Sequence, residues 1–494
     1  MCDRERGWSE VPLVKSWQLI AGAAVAGLAL SVAAVAAAGP WDSGQRKAER
    51  DRAASWGLTG GADHGRGPGS GLLPQAAPSA PGVLGAIGPG VAQGQAAVPA
   101  ASGKLAAALK PLLADPALGT VRTASVVDTA TGQVLYESGA RDAMTPASTV
   151  KIVTAAAALS ALGPEHRIRT TVVPGAAPGQ IVLVGGGDPS LTAKKKSPAG
   201  SGGSLVALAA DTAQALKAAG TDTVTLGYDD SLYTGPARHP IGVNPNIALV
   251  TALTADEGRP DDSTSGPVDR TDDPSKDAAR AFRTLLTERG IKVTGEPARA
   301  KAAAGTGAVA QPLATTLSTP VAGLVERMLT NSDNDIAEAL ARQTALASGQ
   351  PASFEGAEKA VAAKLAALGV DTEGSRFADG SGLHRADKVS AGLLTGLLAK
   401  AADPQRPELR PVLTGLPVAG FTGTLRGRNA GTSPAAGLLR AKTGTLTGVN
   451  SLSGTVVDSS GRLLAFAFLT ANAPGPEGAE KALDKLAAAV ATTS

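Results

Sequence analysis

A serine and a lysine lie three residues apart at the start of an alanine-rich segment, "TPASTVKIVTAAAAL", which begins at Thr145. Ser148 is the only serine in the sequence that has a lysine three positions later, here Lys151. On a helix this spacing places two side chains on the same face, so a neutral lysine can take the proton of the serine hydroxyl and make it a nucleophile. The alternative is that Ser148 only caps the helix, for which its place after Pro146 is suitable.

A second polar group lies in "LTNSDNDIAEALA", where Ser332, Asp333 and Asn334 stand at the entry to a helical pattern. Polar side chains at a helix start can project into a cleft. Taken alone, the triplet is also an ordinary polar helix start.

A third group lies in "LLRAKTGTLTGVNS", an apparent strand that carries Lys442, Thr443, Gly444 and Thr445. A glycine within a strand permits a ligand to approach the backbone closely. Alone, this segment is equally an exposed strand end. The order Ser-x-x-Lys, Ser-Asp-Asn, Lys-Thr-Gly is, however, the signature that acyl-serine penicillin-recognising enzymes share.

With these motifs the sequence resembles the D-alanyl-D-alanine carboxypeptidases/endopeptidases of the S13 serine peptidase family, which are low-molecular-mass penicillin-binding proteins. Ser148 and Ser332 are 184 residues apart, and members of this family have a large insertion at that place. The segments "GGGDPSL" from Gly185, "VTALTADEGR" from Val250 and "DGSGLHRADKVSA" from Asp379 also resemble family segments. The resemblance covers about residues 101–494.

The resemblance implies a serine carboxypeptidase or endopeptidase that acts on peptidoglycan peptides ending in D-Ala-D-Ala, with β-lactam antibiotics as covalent inhibitors. Ser148 would attack the penultimate D-alanine carbonyl, with Lys151 as the base, while backbone N–H groups of Ser148 and Thr445 form the oxyanion hole. The implied catalytic residues are Ser148, Lys151, Ser332, Asn334 and Lys442, and the implied substrate-binding residues are Thr443, Gly444, Thr445 and Arg385.

The implied roles are specific. Ser332 and Lys442 would relay a proton to the leaving amine, and Asn334 would orient the peptide amide. Thr443 and Thr445, with the charge of Lys442, would hold the terminal carboxylate. Arg385 follows "DGSGL" and could meet a carboxylate of the stem peptide, although a surface arginine is an equal interpretation. Burial and the charge of Lys442 are both expected to lower the pKa of Lys151.

No metal or cofactor is expected for this chemistry, and the four histidines are interpreted as surface residues because none has a zinc-peptidase histidine partner. Two alternatives use the same motifs: a secreted serine β-lactamase, and a non-catalytic cell-wall-binding protein on the same fold. A net charge of +3 and only 3% aromatic residues do not favour nucleic acid as a partner.

The N-terminal sequence addresses the compartment. The run from Leu19 to Ala38 contains 20 residues without a charge, and at about 1.5 Å per residue it matches a hydrocarbon layer of about 30 Å. We expect a retained membrane anchor and an extracytoplasmic catalytic region; a cleaved signal peptide is the alternative, and a buried core helix is a third interpretation.

The predicted fold class is α/β: a transpeptidase or β-lactamase-like domain, in which helices flank an antiparallel sheet, with a large inserted, mostly β region. Hairpin patterns around "ATG" and "SSG", near opposite ends of the chain, predict one sheet assembled from distant segments. The predicted order along the chain is a cytoplasmic segment (1–18), a membrane or signal segment (19–39), a disordered linker (40–100), the N-terminal portion of the transpeptidase-like domain (101–164), the insertion (165–315) and the C-terminal portion of that domain (316–494).

Overall fold

A computed structural model describes residues 98–196, 202–301 and 311–493. The predicted cytoplasmic segment, the membrane segment and the linker as far as residue 97 lie outside the described residues. Within the described ranges, no helix combines the length and the apolar character that a membrane crossing needs.

The described residues contain ten strands and ten α-helices. The strands are β1 (Val121–Asp128), β2 (Val134–Ser138), β3 (Arg169–Pro174), β4 (Gln180–Val184), β5 (Thr223–Asp229), β6 (Lys292–Arg299), β7 (Ala314–Leu317), β8 (Leu439–Leu446), β9 (Val449–Val457) and β10 (Leu463–Ala471). The helices are α1 (Val98–Leu113), α2 (Lys151–Leu162), α3 (Leu205–Ala218), α4 (Pro274–Thr287), α5 (Val321–Asn331), α6 (Asn334–Ala347), α7 (Phe354–Ala367), α8 (Ala391–Ala402), α9 (Pro411–Thr414) and α10 (Pro476–Thr492).

The main sheet joins the two ends of the described chain. Its five strands have the order β2-β1-β10-β9-β8, and every neighbouring pair is antiparallel. Strand β1 pairs with β10 from Val121 opposite Ala471 to Asp128 opposite Leu464. The two hairpins that the sequence patterns predict at opposite ends of the chain therefore lie side by side.

This sheet is the middle layer of a three-layer arrangement, as β10 illustrates. Ala465, Ala467 and Leu469 belong to a core built mainly by α2, α5, α6, α7 and α8, whereas Phe466 and Phe468 belong to a core that includes α1 and α10. Successive side chains of a strand point to opposite faces, so one apolar strand fills both cores. Helices thus cover both faces of the sheet, which is the predicted arrangement.

The insertion forms a second sheet, with the order β6-β5-β4-β3-β7. Strand β4 pairs with β5 and β5 with β6 in parallel, and parallel neighbours need a crossover connection, usually a helix. Helices α3 and α4 provide these crossovers and share one apolar core with the strands. The prediction of a mostly β insertion was therefore wrong: the insertion is an α/β unit.

The start of α4 illustrates why the sequence forms a crossover helix here. The Asp273 side chain accepts a hydrogen bond from the Lys276 backbone N–H, at 3.1 Å, and Pro274 occupies the first helical turn, where its missing N–H is not needed. Phe282 and Leu286 are then fully buried four residues apart, which is the spacing of one helix face.

Candidate active site

Ser148 lies in a single 3₁₀ turn, Ala147–Val150, directly before α2. The preceding residue, Ala147, has a φ of 50°, a left-handed conformation that costs a non-glycine residue about 1–2 kcal/mol. The carbonyl oxygen of Pro146 holds this turn, because it accepts hydrogen bonds from the hydroxyls of Thr149 at 2.7 Å and Ser451 at 2.6 Å. Ser451 belongs to β9, so the sheet fixes the backbone that presents Ser148.

Lys151 begins α2 and is fully buried. Its ammonium nitrogen donates three hydrogen bonds: to Ser148 Oγ at 3.0 Å, to Asn334 Oδ1 at 2.7 Å and to the Ser381 carbonyl oxygen at 2.6 Å. Because three donors are all that a lysine ammonium has, the side chain is held in one position. The structure therefore brings the serine and lysine of the first motif into hydrogen-bond contact.

Burial lowers the pKa of Lys151 to about 8, because desolvation disfavours its charged form. The carboxylates of Asp379, Asp333, Glu338 and Asp387 oppose this effect and keep the pKa from falling further. With this pKa, a fraction of about one tenth is neutral at pH 7. A neutral Lys151 has a lone pair that can accept the Ser148 proton.

The second motif lies at the junction of two helices. Ser332 ends α5 with a φ of 59°, in the left-handed region. Asp333 caps α6, since its side chain accepts a hydrogen bond from the Ile336 backbone N–H at 3.0 Å, and Asn334 is the first residue of that helix. This abrupt change of direction turns Ser332 and Asn334 toward a cleft that Ser148 also lines.

The Asn334 amide is engaged at both ends. Its oxygen accepts the hydrogen bond from Lys151, and its nitrogen donates to the Asn246 carbonyl oxygen at 2.9 Å. The contact with Asn246 ties the insertion to the site. Orientation of a peptide amide by Asn334 stays a prediction; in the structure, Asn334 orients the lysine.

The third motif occupies β8, where alternate residues face opposite sides. Lys442 is fully buried, and its ammonium nitrogen donates to the Thr443 carbonyl oxygen at 2.8 Å. A Cβ atom added to Gly444 would lie 2.7 Å from the Pro146 carbonyl oxygen and 3.1 Å from the Ala147 Cβ. Glycine at this position therefore lets β8 lie directly against the turn that carries Ser148.

Lys442 does not act on Lys151 in the way that the sequence predicted. Burial first, and then the charges of Lys151 and Arg428, lower the pKa of Lys442 well below its usual value. The charge of Lys151 thus contributes to the lowered pKa of Lys442, whereas Lys442 is not among the groups that shift the pKa of Lys151. The lowered pKa of Lys151 comes from burial alone.

The cleft has a volume of about 440 Å³, and its lining includes Ser148, Ser332, Asn334 and Thr445. Residues of the insertion complete the lining, among them Asn244, Asn246, Arg259 and Arg270. The cleft thus lies between the edge strand β8, the junction of α5 and α6, and the insertion, and each of these three regions contributes polar groups to it.

Three of the substrate-binding candidates make contacts within the protein. The Thr443 hydroxyl is within 3.0 Å of Thr424 Oγ1, and the Thr445 hydroxyl lies 3.2 Å from a Glu480 carboxylate oxygen. Arg385 is exposed, and its guanidinium donates to the Thr447 carbonyl oxygen at 2.9 Å. Arg385 is therefore at the turn that follows β8 and is not among the residues that line the cleft.

Sequence reasoning missed a buried group behind Lys151. His239 is 2% exposed, and its Nε2 lies 2.9 Å from Asp379 Oδ2. The interpretation of all four histidines as surface residues is thus wrong for His239. A histidine between Arg238 and Pro240 has the appearance of a loop residue, and its burial comes from packing against Phe354, which no local pattern predicts.

The geometry is that of a serine–lysine acyl-transfer site. Ser148 is the nucleophile, the buried Lys151 contacts it, and a second buried lysine, Lys442, lies on β8, the strand that packs against the Ser148 turn. The family model of the D-Ala-D-Ala carboxypeptidase 3 (S13) family matches residues 105–259 and 257–491. The chain belongs to this family, and the family resemblance inferred from the three motifs is confirmed.

Individual relatives extend over most of the chain. Carboxypeptidase DacB of Mycolicibacterium smegmatis is 39% identical over 394 residues, which are 78% of this chain and 83% of the relative. The D-alanyl-D-alanine carboxypeptidase of an Actinomadura species is 31% identical over 460 residues and covers 74% of this chain and 80% of its own length.

Among solved structures, penicillin binding protein 4 of Haemophilus influenzae has a similar fold, with a TM-score of 0.62. It is 22% identical, and the match covers 78% of this chain and 97% of that chain. The similarity supports the mixed α/β fold with helices flanking a sheet.

Proposed function

We propose that the protein is a serine-type D-Ala-D-Ala carboxypeptidase that cleaves peptidoglycan stem peptides through an acyl-serine intermediate. The observation that carries this proposal is the contact of the Ser148 hydroxyl with the buried Lys151 amine, at 3.0 Å. The named activity of relatives such as the Actinomadura D-alanyl-D-alanine carboxypeptidase supports the choice of substrate.

In the acylation step, neutral Lys151 accepts the proton of Ser148, and Ser148 Oγ forms a bond to the carbonyl carbon of the penultimate D-alanine. The tetrahedral oxyanion is received by the backbone N–H groups of Ser148 and Thr445. Collapse of this intermediate breaks the peptide bond. The proton that Lys151 took from Ser148 passes through Ser332 and Lys442 to the departing D-alanine amine, which returns Lys151 to its neutral form. Water then attacks the ester, regenerates Ser148 and releases the shortened peptide.

An endopeptidase reaction uses the same steps when the leaving amine belongs to a crosslinked neighbouring peptide. Thr443, Thr445 and Lys442 are proposed to hold the terminal carboxylate of the carboxypeptidase substrate. Arg385 lies outside the cleft lining, so its proposed contact would be with a longer portion of the stem peptide.

A fluorescent penicillin tests the proposal together with a synthetic pentapeptide that ends in D-Ala-D-Ala. We expect stoichiometric labelling of the wild-type protein, release of free D-alanine from the peptide, and neither reaction with Ser148→Ala. Rapid catalytic turnover of penicillin without D-alanine release would instead indicate the β-lactamase alternative. Absence of any covalent adduct in the folded protein would indicate a non-catalytic wall-binding protein.

We further propose that the catalytic region lies outside the cytoplasmic membrane and is held by the segment from Leu19 to Ala38. Support comes from the uncharged length of this segment and from a wall substrate that lies outside the cell. A chain that begins at Gly90 retains α1, whose Leu105 and Leu109 are buried. We expect it to be released from membranes and to bind penicillin; retention in washed membranes, or loss of binding in the folded chain, would contradict this proposal.

A further inference from the structure

A cluster of buried ionisable side chains lies close enough to Lys151 for three of its carboxylates to raise the pKa of that lysine. Its members are His239, Glu338, Arg342, Asp379 and Asp387. Glu338 and Asp387 are fully buried, and Arg342 is 1% exposed. Charged groups are costly to bury unless they are paired and hydrogen-bonded, so this cluster has a structural or catalytic reason to exist.

Asp379 organises the loop that follows it. Its two carboxylate oxygens accept backbone hydrogen bonds from Ser381 at 3.0 Å, Gly382 at 2.6 Å and His384 at 2.7 Å. Glu338, from α6, accepts two more from this loop, including one from the Ser381 N–H at 3.0 Å. Five backbone hydrogen bonds to two carboxylates hold one short loop.

The same loop contacts both reacting groups. The Ser381 carbonyl oxygen accepts the 2.6 Å hydrogen bond from the Lys151 ammonium. Gly382 is packed so closely that an added Cβ would lie 2.0 Å from the Ala147 carbonyl oxygen and 3.0 Å from the Ser148 backbone nitrogen. A displacement of the loop would therefore move the base and the nucleophile at once.

His239 belongs to the insertion and makes a hydrogen bond to Asp379. Its Nδ1 accepts from the Ile241 backbone N–H at 3.3 Å, so Nε2 carries the hydrogen that is donated to Asp379, at 2.9 Å. The ring also packs edge-on against Phe354, with 5.3 Å between the centroids. Both ring nitrogens and one ring edge are therefore fixed.

A metal ion is the rival explanation for this cluster. Ligand atoms of His239, Glu338 and Asp379 lie within 4.8 Å of one another. Both Asp379 oxygens, however, already accept hydrogen bonds, and an Arg342 guanidinium nitrogen lies 3.7 Å from Glu338 Oε2. The Arg342 guanidinium and the Lys151 ammonium therefore already act as counter-ions to these carboxylates.

We propose that His239 is a positioning residue for the acylation reaction, acting on Lys151 and Ser148 through Asp379 and the loop of residues 380–384. This inference rests on the proposed function, because it assumes that Lys151 is the base for Ser148. His239 belongs to the insertion, so the proposal makes the insertion a component of the catalytic apparatus. Because His239 does not line the cleft, it would act only through Asp379 and the loop.

Two variants that differ by one methylene group test the proposal. In His239→Gln the side-chain amide nitrogen reaches the position of the histidine Nε2 and can donate a hydrogen bond to Asp379. In His239→Asn the shorter side chain places its amide nitrogen near the position of Nδ1, where it cannot donate to Asp379. Stopped-flow acylation by a penicillin, on protein whose active sites have been titrated, separates the binding constant Kd from the acylation rate k2. We expect His239→Asn to lower k2 by about 10- to 100-fold, as for a reacting group displaced by a fraction of an ångström to 1 Å, with Kd unchanged and k2 close to wild type in His239→Gln.

Controls keep each outcome interpretable. His166 is exposed, so His166→Asn and His166→Gln should both leave k2 unchanged. If thermal melts show that His239→Asn does not fold, His239→Phe, which keeps a ring against Phe354 but lacks the donor, replaces it in the comparison.

The proposal is overturned by a wild-type k2 in folded His239→Asn or His239→Phe, by a loss confined to Kd, or by equal losses in the Gln and Asn variants. Failure of the wild-type protein to be acylated at Ser148 would contradict the proposed function itself. The two failures are therefore distinguishable in one set of measurements.

Discussion

The Lys151 ammonium lies 2.7 Å from the Asn334 amide oxygen, so one hydrogen bond joins two motifs that are 183 residues apart in the sequence. The amide is uncharged and leaves the lowered pKa of Lys151 in place. Asn334→Asp would put a carboxylate at this position, stabilise the protonated lysine and raise its pKa. We expect the pH dependence of acylation to shift to higher pH in Asn334→Asp, with slower acylation at pH 7. Asn334→Ala, which adds no charge, serves as the comparison: an equal upward shift in both variants would argue against this electrostatic explanation.

Gly444 is predicted to tolerate no side chain. A Cβ there would lie 2.2 Å from Ser451 Oγ and 2.7 Å from the Pro146 carbonyl oxygen, so Gly444→Ala must push β8 away from the turn of Ser148. Such overpacking typically lowers the free energy of unfolding by about 1–3 kcal/mol. We expect the protein to remain folded, with a marked decrease in its acylation rate. Gly427→Ala is the matched control, since an added Cβ meets nothing within 4 Å there. Unchanged acylation in Gly444→Ala would be inconsistent with the close approach of β8 to the nucleophile.

The left-handed backbone of Ser332 predicts that its Gly and Ala variants differ in stability but share a loss of activity. With a φ of 59°, this residue bears a cost that glycine avoids, so Ser332→Gly should be more stable than Ser332→Ala by about 1 kcal/mol. Both variants lack the hydroxyl and should release D-alanine from peptide substrate more slowly than wild type. Chemical denaturation and D-alanine release measure the two effects. Equal stabilities of the Gly and Ala variants would contradict the strain, and full activity of either would contradict the proton relay.

Three motifs could be read from the sequence because each consists of residues that are adjacent along the chain. The partners of Lys151 could be predicted only in part. The contact with Ser148 follows from helical spacing. Ser381, however, contributes its backbone carbonyl, and the side-chain type at that position carries no information about a backbone contact. His239, Glu338 and Asp379 meet only through tertiary packing, as does the contact between Gly382 and Ala147.

The fold was similarly predictable in its local elements. Hairpin patterns indicated β1 with β2 and β9 with β10, and their places near opposite ends of the chain suggested one sheet assembled from distant segments. The prediction of a mostly β insertion gave too little weight to two helix-like runs that form α3 and α4, because their role as crossover helices depends on which strands pair in parallel. Strand pairing is a non-local property that periodicity does not specify.

The pH dependence of acylation follows from the pKa of Lys151, which burial lowers to about 8. Below this value the lysine is protonated and cannot accept the Ser148 proton, and above it the base is neutral. We therefore expect the acylation rate at saturating penicillin to rise with pH and to level off above about pH 8 to 9. Stopped-flow fluorescence over a range of about pH 6–10 measures this profile. A rate that falls across this range would mean that the protonated lysine is the active form.

The central claim is that Lys151 takes the proton of Ser148, and replacing it by arginine tests this claim most directly. Arginine keeps the positive charge but cannot be deprotonated in a protein. The measurement is stopped-flow acylation of wild type, Lys151→Arg and the exposed control Lys110→Arg by a penicillin, with thermal melts to establish folding. The account predicts that folded Lys151→Arg is acylated at least ~100-fold more slowly than wild type, the low end of general-base contributions, and that Lys110→Arg is unchanged. Acylation of Lys151→Arg at a rate near that of wild type would contradict it.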